Sequence, residues 1–171
     1  MLDQTNIEQI IRDGMPVFPQ AVSQSTAGNA SPYCVDWTAL NQYFGTSKRR
    51  QELLAELSNT LKALGQAGAT YAAVLIGGSF ADPKAENPRD LDTVCFYLGS
   101  DAISMALLKQ TAQAAHANGI DMRFVPYDAD PAAALKACSF FTLLYARTRS
   151  SAEMTKGAIL LGNAPLMETT P

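Results

Sequence analysis

The stretch Val74-Leu-Ile-Gly-Gly-Ser-Phe80, with the Asp90-Leu-Asp92 that follows it, decides how the chain is read. An apolar run ends in Gly77-Gly78-Ser79, and ten residues separate Ser79 from Asp90. A second apolar run, Val94-Cys95-Phe96, follows the acids. Side chains alternate faces along a strand, so carboxylates at i and i+2 point the same way. Such a pair offers hard oxygen ligands to a divalent cation. A Gly-Gly-Ser turn lets backbone N–H groups come close to a phosphate. Together the two halves predict a site for a nucleoside triphosphate and its metal ions. A solvent-facing strand end is the plainer alternative for the acids.

Outward from this stretch, residues 71–76 read as a buried strand and 91–98 as the next. Between them, residues 82–89 form a loop containing Pro83 and Pro88. Upstream, Leu53, Leu54, Leu57, Leu61 and Leu64 recur at helical spacing, with Thr46 or Ser47 as the cap and Gly65 or Gly68 as the stop. Lys48, Arg49, Arg50, Glu52, Glu56 and Lys62 fall largely off that stripe, and Arg49 and Arg50 either reach an acceptor or, the plainer reading, lie on a solvated face. A shorter helix over 37–44 has Asp36 as its cap and Gly45 at its end. Residues 6–12 are helix-like. From there to about residue 32, Gly14, Pro16, Pro19, Gly28 and Pro32 mark an irregular arm. Downstream, Asp101 is the expected cap of a helix reaching 117, closed by Asn118-Gly119. Residues 120–126 alternate like a half-exposed strand. Asp130 and Pro131 open a helix to about 147, and 156–161 read as a last short strand. The expected division is an N-terminal arm over 1–35, a domain over 36–162 and a frayed tail over 163–171. The element order predicts an α/β (α+β) protein, a mixed sheet packed with helices.

The 171 residues suffice for one domain with a proper core. Thirteen basic and 16 acidic residues leave a net charge of −3, too acidic for an extensive nucleic-acid surface. No apolar run reaches a membrane span. The opening Met1-Leu-Asp-Gln-Thr-Asn-Ile-Glu8 is acidic and broken, unlike a signal peptide. Cys34, Cys95 and Cys138 are odd in number and widely spaced, which argues against zinc and disulfide frameworks and for buried thiols in the cytoplasm.

Gly78, Ser79, Asp90 and Asp92 resemble the signature of the polymerase-β-like nucleotidyltransferase superfamily. That signature is a Gly-Ser or Gly-Gly turn, a variable loop, then Asp-x-Asp flanked by apolar residues. Tyr43-Phe-Gly-Thr-Ser-Lys-Arg-Arg-Gln-Glu-Leu-Leu54 is similar to the Phe-Gly-Thr-x-x-Arg-Arg opening of a small, largely uncharacterised bacterial group within it. Lys156-Gly-Ala-Ile-Leu160 is similar to that group's ending. The resemblance implies a minimal nucleotidyltransferase core without the helical domain of larger relatives. It implies Mg²⁺ or Mn²⁺ on Asp90, Asp92 and a third carboxylate from a later strand, for which Asp121 is the candidate. Asp121 would be the base or a second-metal ligand; otherwise it merely caps the Asn118-Gly119 turn.

Gly77, Gly78 and Ser79 are the expected phosphate cradle. Lys84 and Arg89 either reach phosphate oxygens or are solvated loop charges. Arg123, two residues beyond Asp121, is a counter-ion or a substrate contact. His116, the single histidine, suits a helix C-terminus. Trp37 and Tyr43 read as packing residues. No Ser-His-Asp set and no Gly-Lys-Ser/Thr ending are present. The expected activity is metal-dependent transfer of a nucleotidyl group from a nucleoside triphosphate to a hydroxyl on a protein, RNA or small molecule. The rival expectation is a non-catalytic protein of the same fold that binds a nucleotide or a protein. A partner chain or self-association would complete its cleft.

Overall fold

The computed structural model describes residues 4–19, 21–148 and 151–163. The helices are α1 (Gln4–Arg12), α2 (Trp37–Phe44), α3 (Lys48–Gln66), α4 (Met105–Ala117) and α5 (Pro131–Ala146). The strands are β1 (Tyr33–Val35), β2 (Ala69–Gly77), β3 (Leu91–Gly99), β4 (Ile120–Pro126), β5 (Arg147–Thr148), β6 (Ser151–Met154) and β7 (Ile159–Gly162). Five strands form one sheet in the order β1-β7-β2-β3-β4. The two outer pairs are parallel, while β7, β2 and β3 run antiparallel. β5 and β6 make a separate two-stranded ribbon. The protein is therefore a mixed α+β fold.

Strand parity sorts the side chains into two layers. Val74 and Ile76 of β2, Leu91 and Cys95 of β3, and Ile120 and Met122 of β4 join the main core with α1, α2, α3 and α4. Leu75, Val94 and Phe96 face the other way, onto Ala134, Phe141 and Tyr145 of α5. The sheet is thus sandwiched between four helices and one.

Local chemistry sets the ends. Asp36 accepts from Ala39 N at 2.7 Å, and Ser47 Oγ accepts from Arg50 N at 3.3 Å. Leu53, Leu54, Leu57 and Leu64 are buried, as their spacing predicts. α4 differs: its cap is Ser104, which accepts from Leu107 N, and not Asp101. Residues 100–104 are committed to α3's far end, where Ser100 N donates to Gly68 O and Ser104 N to Ala67 O. That tether consumes one turn before the helix can begin. The last strand starts at Ile159, three residues later than expected.

The N-terminal arm is tied in more firmly than its Gly and Pro content suggests. Ile7, Ile10 and Met15 are all buried in the main core. Gly157 N donates to Met15 O, and Tyr33 Oη donates to Pro16 O. β1, inside the segment expected to be the arm, is an edge strand paired with β7. Of the expected tail, 163–171, only Asn163 lies among the described residues; its N and Nδ2 donate to Ala72 O and Tyr71 O.

Leu57 has no exposed surface. Leu57→Ala should cost roughly 2–5 kcal/mol through lost transfer energy and a residual cavity. Urea unfolding of parent and variant measures this, and a loss near zero would mean that α3 is peripheral.

Candidate functional site

Strand register builds the site. Asp92 of β3 lies beside Gly77 of β2 on one side and beside Asp121 of β4 on the other. Adjacent strands are ~4.8 Å apart, so the Asp92 and Asp121 carboxylates are lateral neighbours on one face. Asp90, two residues before Asp92, shares that face. So does Arg123, two beyond Asp121. This is the α5 face, and the acids stand where α5's cover ends.

Gly78, Ser79, Asp90 and Asp92 line one cleft of about 550 Å³, together with Arg89, Leu144, Tyr145, Arg147 and Lys156. The turn and the acids touch directly. Gly78 has φ +65°, and a Cβ there would collide with Asp92 Oδ2. Only glycine fits this backbone and this neighbour. Lys156 Nζ donates to Gly78 O at 2.7 Å, bringing a cation to the turn. Asp90 Oδ2 accepts from Arg89 Nη2 at 2.8 Å and Nε at 3.0 Å. That hydrogen bond, and then Asp90's charge, holds the exposed Arg89 guanidinium above its usual pKa. Asp90 and Asp92 also border a second, polar hollow of about 800 Å³ with Asp121, His116, Glu52 and Glu56. The acids are thus a partition between two openings.

Three expected contacts fall elsewhere. Gly77 is covered by Tyr145, whose ring occupies the space a Cβ would take, so it offers no open cradle. Lys84 is exposed and lies near Gly14, away from the cleft. The 82–89 loop is held against α3 by Ser47, Arg49 and Arg50. Arg123 is exposed but sits over the Phe141 ring of α5, with Cζ 5.6 Å from the centroid. It shares the acids' face without lining the cleft. His116 is exposed beside Asp121.

Arg50 overturns another expectation. Placed on a solvated face by its helical position, it is only 2% exposed. Its Nη1 donates to Phe80 O (2.9 Å) and Phe44 O (3.4 Å). Its Nη2 donates to Asp82 O (2.7 Å) and Ala85 O (2.8 Å), and Nε also reaches Ala85 O. Cζ lies 4.9 Å from the Phe80 ring centroid. Burial lowers its pKa, opposed by Asp82; a guanidinium stays charged regardless. Arg49 Nη2 donates to Arg89 O at 2.6 Å, and Ser47 Oγ to Glu86 O at 2.8 Å. The start of α3 therefore clamps the whole loop between Ser79 and Asp90.

Tyr145 and Arg147, which enter the cleft from the end of α5 and the start of β5, carried no local signal in the chain. Lys156 carried one weak sign, its place at the head of the Lys156-Gly-Ala-Ile-Leu160 resemblance. Burial first, then the nearby Asp92 and Asp121, raise the Tyr145 pKa, with Arg123 opposing. Its hydroxyl is therefore protonated and a donor at neutral pH. Among the described residues, no three His, Cys, Asp or Glu side chains converge as a metal-holding group. The donor chemistry nonetheless suits a hard divalent cation, with Arg89 occupying one oxygen of the set.

The fold and site define a mixed α+β protein with a turn-and-carboxylate cleft. The chain belongs to DUF6932, a family of unknown function, whose sequence pattern matches residues 13–161. No curated protein and no solved structure matches the chain.

Two substitutions test this geometry. Arg50→Met should cost at least about 3 kcal/mol, since it strands several carbonyls that the guanidinium satisfies. Denaturant unfolding measures it; a neutral result would show that water replaces the clamp. Gly78→Ala should displace Asp92, and it should destabilise the fold by roughly 1–3 kcal/mol through backbone strain, read from the same transition.

Proposed function

We propose that the protein transfers a nucleotidyl group from a nucleoside triphosphate to a hydroxyl acceptor, releasing pyrophosphate. The observation that carries this is the packing of Gly78 against Asp92, which sets a glycine turn and a carboxylate pair in one cleft. Arg89, Arg147 and Lys156 supply cations along the same cleft, as a triphosphate needs. Ser79 offers a hydroxyl and its backbone N–H beside them. Asp121, next to Asp92 in register, would take the acceptor's proton in this reading.

A divalent cation, Mg²⁺ or Mn²⁺, would be held by Asp90 and Asp92 together with the substrate's own phosphate oxygens, and it would neutralise charge on the phosphates. Arg89 engages only Oδ2 of Asp90 and lines the same cleft, so its guanidinium would meet a phosphate oxygen of a bound triphosphate there. The same pair favours a second reading. If Arg89 keeps Asp90, the cleft binds a nucleotide or a protein without metal and without transfer.

No helix among the described residues is long and apolar enough to cross a membrane. Cys34, Cys95 and Cys138 are all free thiols, which supports a reducing, cytoplasmic setting.

Calorimetric titration of ATP with and without Mg²⁺ separates the two readings. The parent should bind more tightly with Mg²⁺, and Asp92→Asn should lose about tenfold or more of that affinity. Asp121→Asn should keep most of the binding and lose transfer of an α-phosphate label. Equal, metal-independent affinity in parent and Asp92→Asn would favour the non-catalytic binder.

A further inference from the structure

Asp90 and Asp92 wall two spaces. On one side is the cleft with Ser79, Arg147 and Lys156. On the other is the hollow of about 800 Å³, walled further by Glu52 and Glu56 of α3, His116 at the end of α4 and Asp121 of β4. Asp121 lines the hollow and not the cleft. The space that holds the expected base is therefore not the space that holds the cations.

The two spaces differ in charge. Arg147 and Lys156 add to Arg89 in the cleft. In the hollow both guanidiniums are already engaged. Arg49 Nη1 lies 3.6 Å from Glu52 Oε2, and its Nη2 donates to Arg89 O. Arg89 is paired with Asp90. Among the described residues, neither Glu56 nor Asp121 has an ion-pair partner. The hollow's five carboxylates outnumber its two guanidiniums, and they still do so with His116 protonated. A concave space of this sign draws cations in and repels phosphates. A nucleic-acid acceptor would bring its backbone charge against these acids. The volume is that of a small-molecule site, whereas a folded protein partner needs a far broader surface.

We propose that the hollow binds a small hydroxyl-bearing amine, and that this amine is the acceptor, entering opposite the triphosphate. The second clause rests on the nucleotidyl-transfer reading above; the first does not. An ammonium group of the ligand meets Glu56, which is half-buried in the wall. Asn118 and His116 offer hydrogen bonds to its hydroxyls. One hydroxyl reaches Asp121, beside Asp92 in register. Its oxygen forms the new bond to the α-phosphorus while its proton passes to the Asp121 carboxylate. The bond from that phosphorus to the bridging oxygen breaks, and pyrophosphate leaves through the cleft. Attack from the hollow and departure through the cleft lie on opposite sides of the shared wall, as in-line displacement requires.

The probe is the glucosamine disaccharide, whose amines are cationic. Its twin is the N-acetylated disaccharide, which keeps the hydroxyls and loses the charges. Both are titrated calorimetrically in the presence of Mg²⁺. The amine form should bind about tenfold more tightly than the twin. Glu56→Gln should weaken the amine form about fivefold or more and leave the twin unchanged. Glu56 does not line the cleft, so ATP affinity should stay within about twofold. An unchanged thermal transition shows that the variant is folded. Protein saturated with α,β-methylene ATP, which cannot pass on its α-phosphorus, should still bind the amine form. Equal binding of the twins, or indifference to Glu56→Gln, overturns the hollow as an amine site. Mutual exclusion of nucleotide and disaccharide overturns the two-sided arrangement.

A second arm supplies α-labelled nucleoside triphosphates, Mg²⁺ and cell lysate. Label should enter small cationic molecules retained on a cation exchanger, and less of it should do so with Glu56→Gln. Label in RNA or protein overturns the small acceptor. No label in any fraction, with ATP still bound, removes the acceptor role along with nucleotidyl transfer. The disaccharide result then decides the hollow's ligand by itself.

Discussion

The Arg50 guanidinium, buried between α3 and the loop after β2, is the interaction on which the site depends. The carbonyls of Phe80, Asp82 and Ala85 lie outside the sheet, with Ala85 N donating to Asp82 O, and buried carbonyls short of donors are costly. Arg50 answers Phe80, Asp82 and Ala85 at once, with Phe80's ring against the guanidinium. A planar fork with five N–H groups can do this, whereas a lysine cannot. The leucines of α3 fix the helix on the sheet, so the guanidinium arrives at a set height. The clamp converts a ten-residue separation between Ser79 and Asp90 into one cleft wall.

The second constraint is sheet parity. Leu75, Val94 and Phe96 form apolar rows under α5. Continued in the same phase, those rows become Gly77, Asp92 and Asp90, with Asp121 alongside. A helix laid over the acids would desolvate them at high cost. α5 instead ends at Ala146, with Tyr145 packed on Gly77, where no side chain stands in its way. One face is therefore divided into a covered apolar part and an open charged part. The cleft sits on that boundary, with cations contributed from beyond it by Arg147 and Lys156.

Much of this was legible because it depends on neighbours in sequence. Helix caps at Asp36, Ser47 and Asp130 act over three residues, and the structure uses all three. The leucine period of α3 and the strands around the Gly-Gly-Ser turn are equally local. Ser104 replaced Asp101 because a long-range tether to Gly68 decided where α4 could begin. β1 was illegible because three residues give no period, and pairing with distant β7 is what makes them a strand.

By itself, then, the sequence determined the α+β class, the helix and strand periods, and the proximity of Asp90 to Asp92, since each follows from spacing along the chain. Only the tertiary structure decided that Asp121 adjoins Asp92, that Arg50 points inward, and that Tyr145, Arg147 and Lys156 share the cleft with Ser79. Register across strands and the demand of buried carbonyls for donors are relations between distant segments. A helical period assigns Arg50 a polar position; only the loop it meets there makes that position the interior.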